Sequence, residues 1–402
     1  MTDPGQAAPD SAANRVGNVA VNLAGDAAAG RVGDTAADLV GNTGADRSGD
    51  TAADLVGRLL AVLDQLEVIA RRLHPPALGL LVAPLRDDAL ALQDALAAFT
   101  AVEWPERMEW FRAALTEASG HALTAAAALL EAGQSPDGLR SAYRALRSLR
   151  RSLEALYPLA AFLPTVNAWF VEPGRRADAA LLARLAAPEG DVGVHHFANE
   201  RGSRGGYSVY VPESCTPASP SPLIMALHGG AGHGRQFLWS WVREARSRGA
   251  IVVAPTAPGD TWAIMEPEAD ALHLAGILQA VEERWRVDTS RRLLTGMSDG
   301  GTFTLVSGLQ EDCPFTHLGP VAASFHPLLL AMADPARMRG LPVYLVHGVL
   351  DWMFPVSVAR SAHRALTAAG ADVLYREIAE LSHVYPRDEN TGILDWLARP
   401  RP

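Results

Sequence analysis

The chain has 402 residues, 49% of them hydrophobic, and a formal net charge of −10 at pH 7. This length predicts two domains, or one large domain with a tail, and the hydrophobic content is sufficient for sizeable cores. The acidic balance argues against a nucleic-acid partner, and the absence of lysine excludes Schiff-base chemistry and lysine-dependent phosphate loops.

Cysteine content and apolar runs indicate where the protein resides. The chain has two cysteines, Cys215 and Cys313, which are too few for a disulfide framework, and it has no Cys-x-x-Cys motif for zinc. Residues 1–5 are polar and lack the pattern of a secretory signal. No apolar run has the length of a membrane span. These features predict a cytoplasmic protein without stable membrane insertion.

The first predicted element is a repeat with a period of 16 residues. Gly-Asp-Thr-Ala-Ala-Asp-Leu-Val-Gly occurs at both 33–41 and 49–57. Gly, Ala and Asp are abundant in this segment, and large side chains that could be buried are few. We therefore expect residues 1–57 to form a disordered, low-complexity tail. A weakly amphipathic helix that docks on another surface is the alternative.

Residues 58–187 show helical periodicity. Apolar residues recur at three-to-four spacing in the first helix, at Leu59, Val62, Leu66, Ile69 and Leu73. The pattern predicts further helices at 84–100, 106–119 (closed by Gly120), 121–132 and 138–157. This segment contains no candidate catalytic residue. It is expected to be an α-helical domain, and a candidate for self-association or a protein contact.

Near residue 188 short β-type runs begin to alternate with helical stretches. This alternation is typical of a mostly parallel sheet with helices on both faces. The strands are predicted at 195–198, 206–211, 223–227, 251–254, 293–295, 321–324, 343–346 and 373–378. Right-handed crossovers would place the carboxyl ends of the parallel strands at one edge, where functional sites collect. Residues 188–402 are therefore expected to form an α/β catalytic domain.

The motif Gly296-Met297-Ser298-Asp299-Gly300 follows one of these strands and opens a helix. A serine on so sharp a turn takes strained dihedrals, and glycines are needed where larger side chains would collide. The N–H groups at the helix start point towards any oxyanion that forms beside the serine. The motif predicts that Ser298 is a nucleophile.

Three other strand ends carry polar motifs. They are Leu227-His228-Gly229-Gly230, His347-Gly348-x-x-Asp351-x-x-x-Pro355 and Ser382-His383-x-x-Pro386. The order Ser, Asp, His along the chain is that of the α/β-hydrolase triad. Residues from about 190 to 400 resemble the α/β-hydrolase esterases, in particular the phospholipase/carboxylesterase and polyhydroxybutyrate-depolymerase-like branch.

Residue chemistry and the resemblance together imply a serine carboxylesterase that uses no metal or cofactor. Ser298 would attack the acyl carbon, His383 would be the general base, and Asp351 would orient the imidazole. The backbone N–H groups of Asp299 and Gly230 would form the oxyanion hole. The substrate would be a small ester with a short or medium acyl chain. The short connection after the 321–324 strand leaves no room for an inserted lid.

Other interpretations remain open at this stage. A serine peptidase or thioesterase of the same fold would use the same residues, and a non-catalytic interaction protein would use none of them. His326 also follows a strand and is a competing base. His228 and His233 suggest a metal, but no third ligand lies near them in the sequence. Three aromatic residues on the same edge would either line the pocket or pack: Trp262, Trp352 and Phe354.

Overall fold

The computed structural model describes residues 45–135, 138–216 and 218–400. Residues 1–44 of the predicted tail lie outside the described residues. Contacts between Cα atoms group Arg47–Pro402 into one compact unit. The predicted boundary at residue 188 therefore falls inside this unit.

The first part of the described chain is helical. Its α-helices are α1 (Ala45–Arg72), α2 (Leu78–Val82), α3 (Leu85–Thr100), α4 (Glu109–Ala132), α5 (Leu139–Leu156), α6 (Pro164–Trp169) and α7 (Ala179–Ala186). Helix α1 begins inside the sequence repeat, because Leu55 and Val56 of the repeat are buried in the same core as Leu59. Helix α4 continues through Gly120, where the sequence predicts an end, because buried alanines on either side pack in that core.

The second part is an eight-stranded sheet with interspersed helices. The strands are β1 (Gly193–Phe197), β2 (Tyr207–Val211), β3 (Ser221–Leu227), β4 (Ile251–Pro255), β5 (Val287–Met297), β6 (His317–Val321), β7 (Pro342–Gly348) and β8 (Asp372–Ile378). The helices are α8 (Gly234–Phe237), α9 (Val242–Arg248), α10 (Glu268–Arg284), α11 (Asp299–Gly308), α12 (Leu328–Met332), α13 (Pro335–Met338), α14 (Val356–Ala368) and α15 (Glu389–Leu397).

The sheet order is β1-β2-β4-β3-β5-β6-β7-β8. Strand β2 is antiparallel to both β1 and β4, and the remaining pairs are parallel. Strand β5 therefore lies between β3 and β6, so the carboxyl ends of the central strands meet at one edge. This topology confirms the predicted α/β-hydrolase fold.

Strand β6 differs from its predicted position at 321–324. Gly319 and Pro320 have low strand propensity, yet both lie in the strand. The neighbouring strand explains this, since the Thr295 hydroxyl donates a 2.6 Å hydrogen bond to the Gly319 carbonyl. A Cβ at residue 319 would lie only 3.0 Å from the Thr295 hydroxyl oxygen. The strand ends where Ala322 takes a φ of 47°. Cross-strand packing therefore overrides intrinsic propensity here.

The two faces of the sheet belong to different cores. Ile224 and Val252 point into a core shared with α1, α3, α4 and α5, whereas Met225 and Val253 point into a core shared with α10 and α14. The prediction of helices on both faces is thus confirmed, and the N-terminal helices cover one of them. Among the residues that the structure describes, no helix combines the length and apolar character needed to cross a bilayer.

A buried ionic cluster joins the N-terminal helices to the α/β part. Glu67 of α1 lies 3.1 Å from Arg150 of α5 and 3.0 Å from Arg387, which also pairs with Glu244 of α9 at 3.2 Å. Burial raises the pKa of Glu67, but the positive charges of Arg387, Arg150 and Arg243 outweigh it and lower the pKa to about 2. Glu67 is therefore an ionised carboxylate, and with Glu244 it partly balances the positive charges of the three arginines.

Replacing Glu67 by glutamine is expected to lower the free energy of unfolding by about 3–5 kcal/mol at pH 7, because it removes the carboxylate that pairs with the buried Arg150 and Arg387. Since the folded-state pKa lies below the ordinary value of 4.5, the carboxylate stabilises the fold above that pH and progressively less as the pH falls towards 2. The free energy of unfolding of the Glu67→Gln variant should therefore fall less than that of the wild type as the pH is lowered. Urea unfolding at pH 7 and pH 3 measures both effects.

Asp54→Asn on the same helix is the matched control. Asp54 pairs with Arg58, and both side chains are more than half exposed. Its replacement should change the free energy of unfolding by no more than about 0.5 kcal/mol. Equal losses in the two variants would contradict the assignment of a stabilising buried cluster.

Candidate active site

The turn between β5 and α11 holds Ser298 in a strained conformation, with φ 56° and ψ −118°. A Cβ on Gly296 would lie 2.5 Å from the Gly300 carbonyl, and a Cβ on Gly300 would lie 2.5 Å from the carbonyl oxygens of Leu227 and His228. Real Cβ atoms do not approach backbone so closely, so both positions require glycine. The collisions expected from the sequence motif are therefore present.

Gly300→Ala is expected to lower the free energy of unfolding by about 1–3 kcal/mol, because the backbone around the new methyl group would have to move. Gly276→Ala in α10 is the control, since a Cβ there meets nothing within 4 Å. That substitution should stabilise the protein by about 0.5–1 kcal/mol, since alanine is favoured over glycine inside a helix. Chemical denaturation compares the two, and an unaffected Gly300→Ala variant would contradict the steric account of the turn.

Three side chains from three strand ends meet beside this turn. The Nε2 atom of His383 lies 3.0 Å from the Ser298 hydroxyl oxygen, and its Nδ1 atom lies 2.8 Å from Oδ2 of Asp351. Ser298 follows β5, Asp351 follows β7 and His383 follows β8. All three are buried. The structure thus brings together the three residues that the sequence predicts as a triad.

Asp351 is held by its own loop. Its Oδ1 atom accepts hydrogen bonds from the N–H groups of Met353, at 2.9 Å, and Phe354, at 2.8 Å. Burial raises the pKa of Asp351, but the hydrogen bonds from His383 and from these N–H groups outweigh it and lower the pKa below its ordinary value. Asp351 is therefore an ionised acceptor for the imidazole.

A second buried histidine braces the same loop. His347 Nε2 donates a 2.8 Å hydrogen bond to the Phe354 carbonyl and lies 3.6 Å from Oδ2 of Asp351. His347 belongs to one of the strand-end motifs of the sequence, but no role is predicted for it there. Its spacing of four residues from Asp351 is the signal that could have indicated one.

The glycine turn after β3 lies directly against the Ser298 turn. The Ala231 N–H donates to the Asp260 carbonyl at 3.1 Å, so it is occupied within the protein. Among the described residues, no hydrogen bond involves the Gly230 N–H. Gly230 also faces α11, because a Cβ there would lie 2.7 Å from Oδ2 of Asp299. Gly230 thus lies beside the first residue of the helix that follows Ser298.

Asp299 is the first residue of α11. The leading N–H groups of a helix have no partner within it, so the Asp299 N–H is available beside Ser298. Its carboxylate lies beside Gly230 and accepts a 2.6 Å hydrogen bond from the Thr261 hydroxyl. The carboxylate therefore anchors the helix start to the loop after β4.

The side chain of His228 forms hydrogen bonds that hold the glycine turn. Its Nδ1 donates to the Gly229 carbonyl at 2.7 Å, and its Nε2 accepts from the Ala257 N–H at 3.1 Å. Burial lowers the pKa of His228 to about 4, so the ring is neutral. Because both ring nitrogens are engaged, His228 is not free to bind a metal. The buried Trp262 donates a 2.8 Å hydrogen bond to the His228 carbonyl and is a packing residue.

The other candidates from the sequence lie apart from Ser298 or beside the His383 ring. His326 is exposed and accepts the Leu328 N–H at 3.2 Å, so it is not joined to the serine. The rings of Trp352 and Phe354 lie 6.1 Å and 5.5 Å from the His383 ring. These two aromatic residues border the imidazole.

Tyr143 of α5 contacts the candidate site, and its sequence position does not predict this. Its hydroxyl donates a 2.6 Å hydrogen bond to the backbone carbonyl of His383, 240 residues away in the chain. In the sequence Tyr143 occupies an apolar-face position of a predicted helix. Nothing in that pattern indicates a partner in another part of the chain.

Parts of the chain are similar to known proteins. No protein-family model matches the chain. The chain is 27% identical over 162 residues to the bifunctional acetylxylan esterase/xylanase XynS20E of Neocallimastix patriciarum, covering 39% of this chain and 23% of that protein. It is 26% identical over 170 residues to a probable feruloyl esterase C of Aspergillus oryzae, covering 40% of this chain and 59% of that protein. The chain thus spans less than two thirds of the length of either relative.

Solved structures with similar folds include two esterases. A thermostable esterase aligns with a TM-score of 0.41 and 20% identity over 51% of this chain and 61% of that one. A ferulic acid esterase aligns with a TM-score of 0.43 and 18% identity over 52% of this chain and 98% of that one. The predicted resemblance to esterases of the α/β-hydrolase fold is confirmed by the strand order and by the sequence relatives.

Proposed function

We propose that the protein is a serine hydrolase that cleaves small carboxylic esters, with Ser298, His383 and Asp351 as its catalytic triad. The observation that carries this proposal is the continuous hydrogen-bonded chain from the Ser298 hydroxyl through both nitrogens of His383 to Asp351. The strained serine turn supports it, since strain of this kind is typical of a nucleophile elbow.

The proposed reaction proceeds in two stages. His383 takes the Ser298 proton as the oxygen attacks the acyl carbon, and it then gives that proton to the departing alcohol. A water molecule, activated by His383, next attacks the acyl-enzyme and releases the acid. The ionised Asp351 stabilises the imidazolium in both stages. The N–H groups of Gly230 and Asp299 are the proposed oxyanion donors, each worth about 10²–10³ in turnover.

The apolar surroundings of the triad favour an apolar acyl group. Four large apolar side chains on the loop that carries Asp351 are partly exposed: Val349, Leu350, Trp352 and Met353. Such side chains on a loop next to the imidazole would contact the acyl or alcohol portion of a substrate. The names of the sequence relatives, an acetylxylan esterase and a feruloyl esterase, support an oxygen ester. A thioesterase or serine peptidase remains the alternative enzyme, and a non-catalytic interaction protein the alternative from another class.

The proposal is tested by measuring turnover by the wild-type protein of four kinds of substrate. These are p-nitrophenyl esters from acetate to octanoate, methyl ferulate, an acyl thioester and a peptide amide. We expect the highest kcat/KM among the oxygen esters. A peptide or thioester preference would replace the proposed activity by one of the alternatives, and no turnover of any acyl substrate would contradict it.

We also propose that this chemistry needs neither metal nor cofactor, because the base and the oxyanion donors are supplied by the chain itself. We propose a cytoplasmic location, which the low cysteine content supports. Fractionation of source cells tests it, and recovery of the protein from the culture medium would contradict it.

A further inference from the structure

The loop between β8 and α15, residues 379–388, carries His383 and is held by the N-terminal helices. Side chains of α1, of α5 and of the residues directly after α1 contact it at five positions. The contacts are Arg71 with Glu380 (3.1 Å) and Asp388 (2.5 Å), His74 with Ser382 (3.4 Å), Tyr143 with the His383 carbonyl (2.6 Å) and Glu67 with Arg387 (3.0 Å). The loop that presents the proposed base is therefore held by the N-terminal helices as well as by the α/β part, where Arg387 pairs with Glu244 and the Leu381 carbonyl accepts the Leu350 N–H.

Tyr143 makes the contact nearest to the chemistry. Its hydroxyl donates a hydrogen bond to the backbone carbonyl of His383, and the ring of His383 lies between Ser298 and Asp351. Burial raises the pKa of Tyr143 to about 12, so the phenol stays protonated and keeps donating at neutral pH. The hydrogen bond fixes the position of the His383 backbone, and with it the origin of the side chain.

The same face of α5 also contacts the glycine turn. Arg147 lies four residues after Tyr143, which places the two side chains on one face of the helix. Its guanidinium donates to the Ala231 carbonyl at 3.4 Å. One helix thus contacts both the loop of the proposed base and the turn of the proposed oxyanion donor.

We propose that Tyr143 is a positioning residue that holds His383 at hydrogen-bonding distance from Ser298, so that the N-terminal helices are part of the active site. This inference rests on the proposed function. Its physical reason is that proton transfer requires close alignment of the base with the hydroxyl, and small displacements reduce turnover strongly. The proposed role acts through the hydrogen bond from Tyr143 to the backbone carbonyl of His383.

Tyr143→Phe removes the hydroxyl alone. We expect kcat for a p-nitrophenyl ester to fall by about three- to tenfold, in line with the loss of one hydrogen bond, with KM unchanged. Tyr157→Phe is the matched control, because the Tyr157 hydroxyl donates a 2.6 Å hydrogen bond to Glu213 and thereby also joins the N-terminal helices to the α/β part. It should lower Tm without changing kcat. A kcat loss of equal size in both variants would show a merely structural role and overturn the proposal.

Two further measurements make the role of Tyr143 specific. In the His383→Ala background, Tyr143→Phe should leave the residual rate unchanged. Tyr143 acts through the His383 imidazole, which is already absent there. Amide hydrogen exchange should rise in residues 379–388 of Tyr143→Phe and stay unchanged in Tyr157→Phe.

The exchange measurement separates this inference from the proposed function, because it needs no turnover. Wild-type turnover together with unchanged kcat and unchanged exchange in Tyr143→Phe would overturn the positioning role and leave the esterase proposal standing. Absence of wild-type turnover would instead contradict the esterase proposal, and unaltered exchange in residues 379–388 would still overturn the positioning role.

Discussion

Alanine at position 298 or at position 383 is expected to reduce kcat for ester hydrolysis by about 10⁶-fold, and the double variant should be no slower than either single one. Ser298 without a base is a poor nucleophile at neutral pH, and His383 without the hydroxyl has no proton to transfer. Triad members act as a unit, so removal of one removes the function of the others. The 3.0 Å distance between His383 Nε2 and the Ser298 hydroxyl is the observation on which this expectation rests.

Steady-state kinetics with one p-nitrophenyl ester measures this effect. Ser307→Ala is a control for Ser298→Ala, since Ser307 is also a buried serine of the same strand–helix unit. His326→Ala is the control for His383→Ala, because His326 is the competing base by sequence and lies exposed. Both controls should keep wild-type kcat. Loss of activity in His326→Ala with activity retained in His383→Ala would reverse the assignment of the base.

Asp351→Asn is expected to lower kcat by about 10⁴-fold with little change in fold. The amide can turn its NH₂ group towards His383 Nδ1 and so favour the tautomer in which Nε2 carries the proton and cannot accept one from Ser298. It also removes the charge that would stabilise the imidazolium. Because the pKa of Asp351 is lowered from 3.8, we expect no loss of rate from its protonation until the pH falls below about 4.

The control for this substitution is Asp334→Asn. Asp334 also accepts two backbone N–H groups, from Ala336 and Arg337, and asparagine is an equally good helix cap. Circular dichroism and kcat of this variant should match wild type. A fully active Asp351→Asn variant would contradict the assignment of Asp351 to the triad.

The parts of the site that the sequence predicts well are local in the chain. The turn around Ser298 needs glycine on both sides for steric reasons, so five consecutive residues carry the information. The placement of Asp351 and His383 follows from strand ends that share one edge of a parallel sheet. The alternation of β-type and helical runs predicts the fold, and the strand-end motifs in Ser, Asp, His order predict that these three side chains lie together.

The parts that the sequence does not predict depend on contacts between distant segments. Tyr143 and His383 meet only because the N-terminal helices pack on one face of the sheet, and helical periodicity predicts burial but not the partner. The start of α1 inside the repeat is similar, since burial of Leu55 requires a surface that the repeat itself lacks. The predicted position of strand β6 differs from the observed one because strand propensity does not include the cross-strand contact of Thr295 with Gly319.

Reaction of the full-length protein with a fluorophosphonate probe, followed by mass spectrometry of its peptides, tests the central claim most directly. Fluorophosphonates react with a serine whose hydroxyl is activated by a neighbouring base, whatever the natural ester. The account predicts one adduct, on Ser298, and no adduct in the Ser298→Ala variant. An unmodified wild-type protein, or an adduct on a different serine that persists in Ser298→Ala, would contradict it.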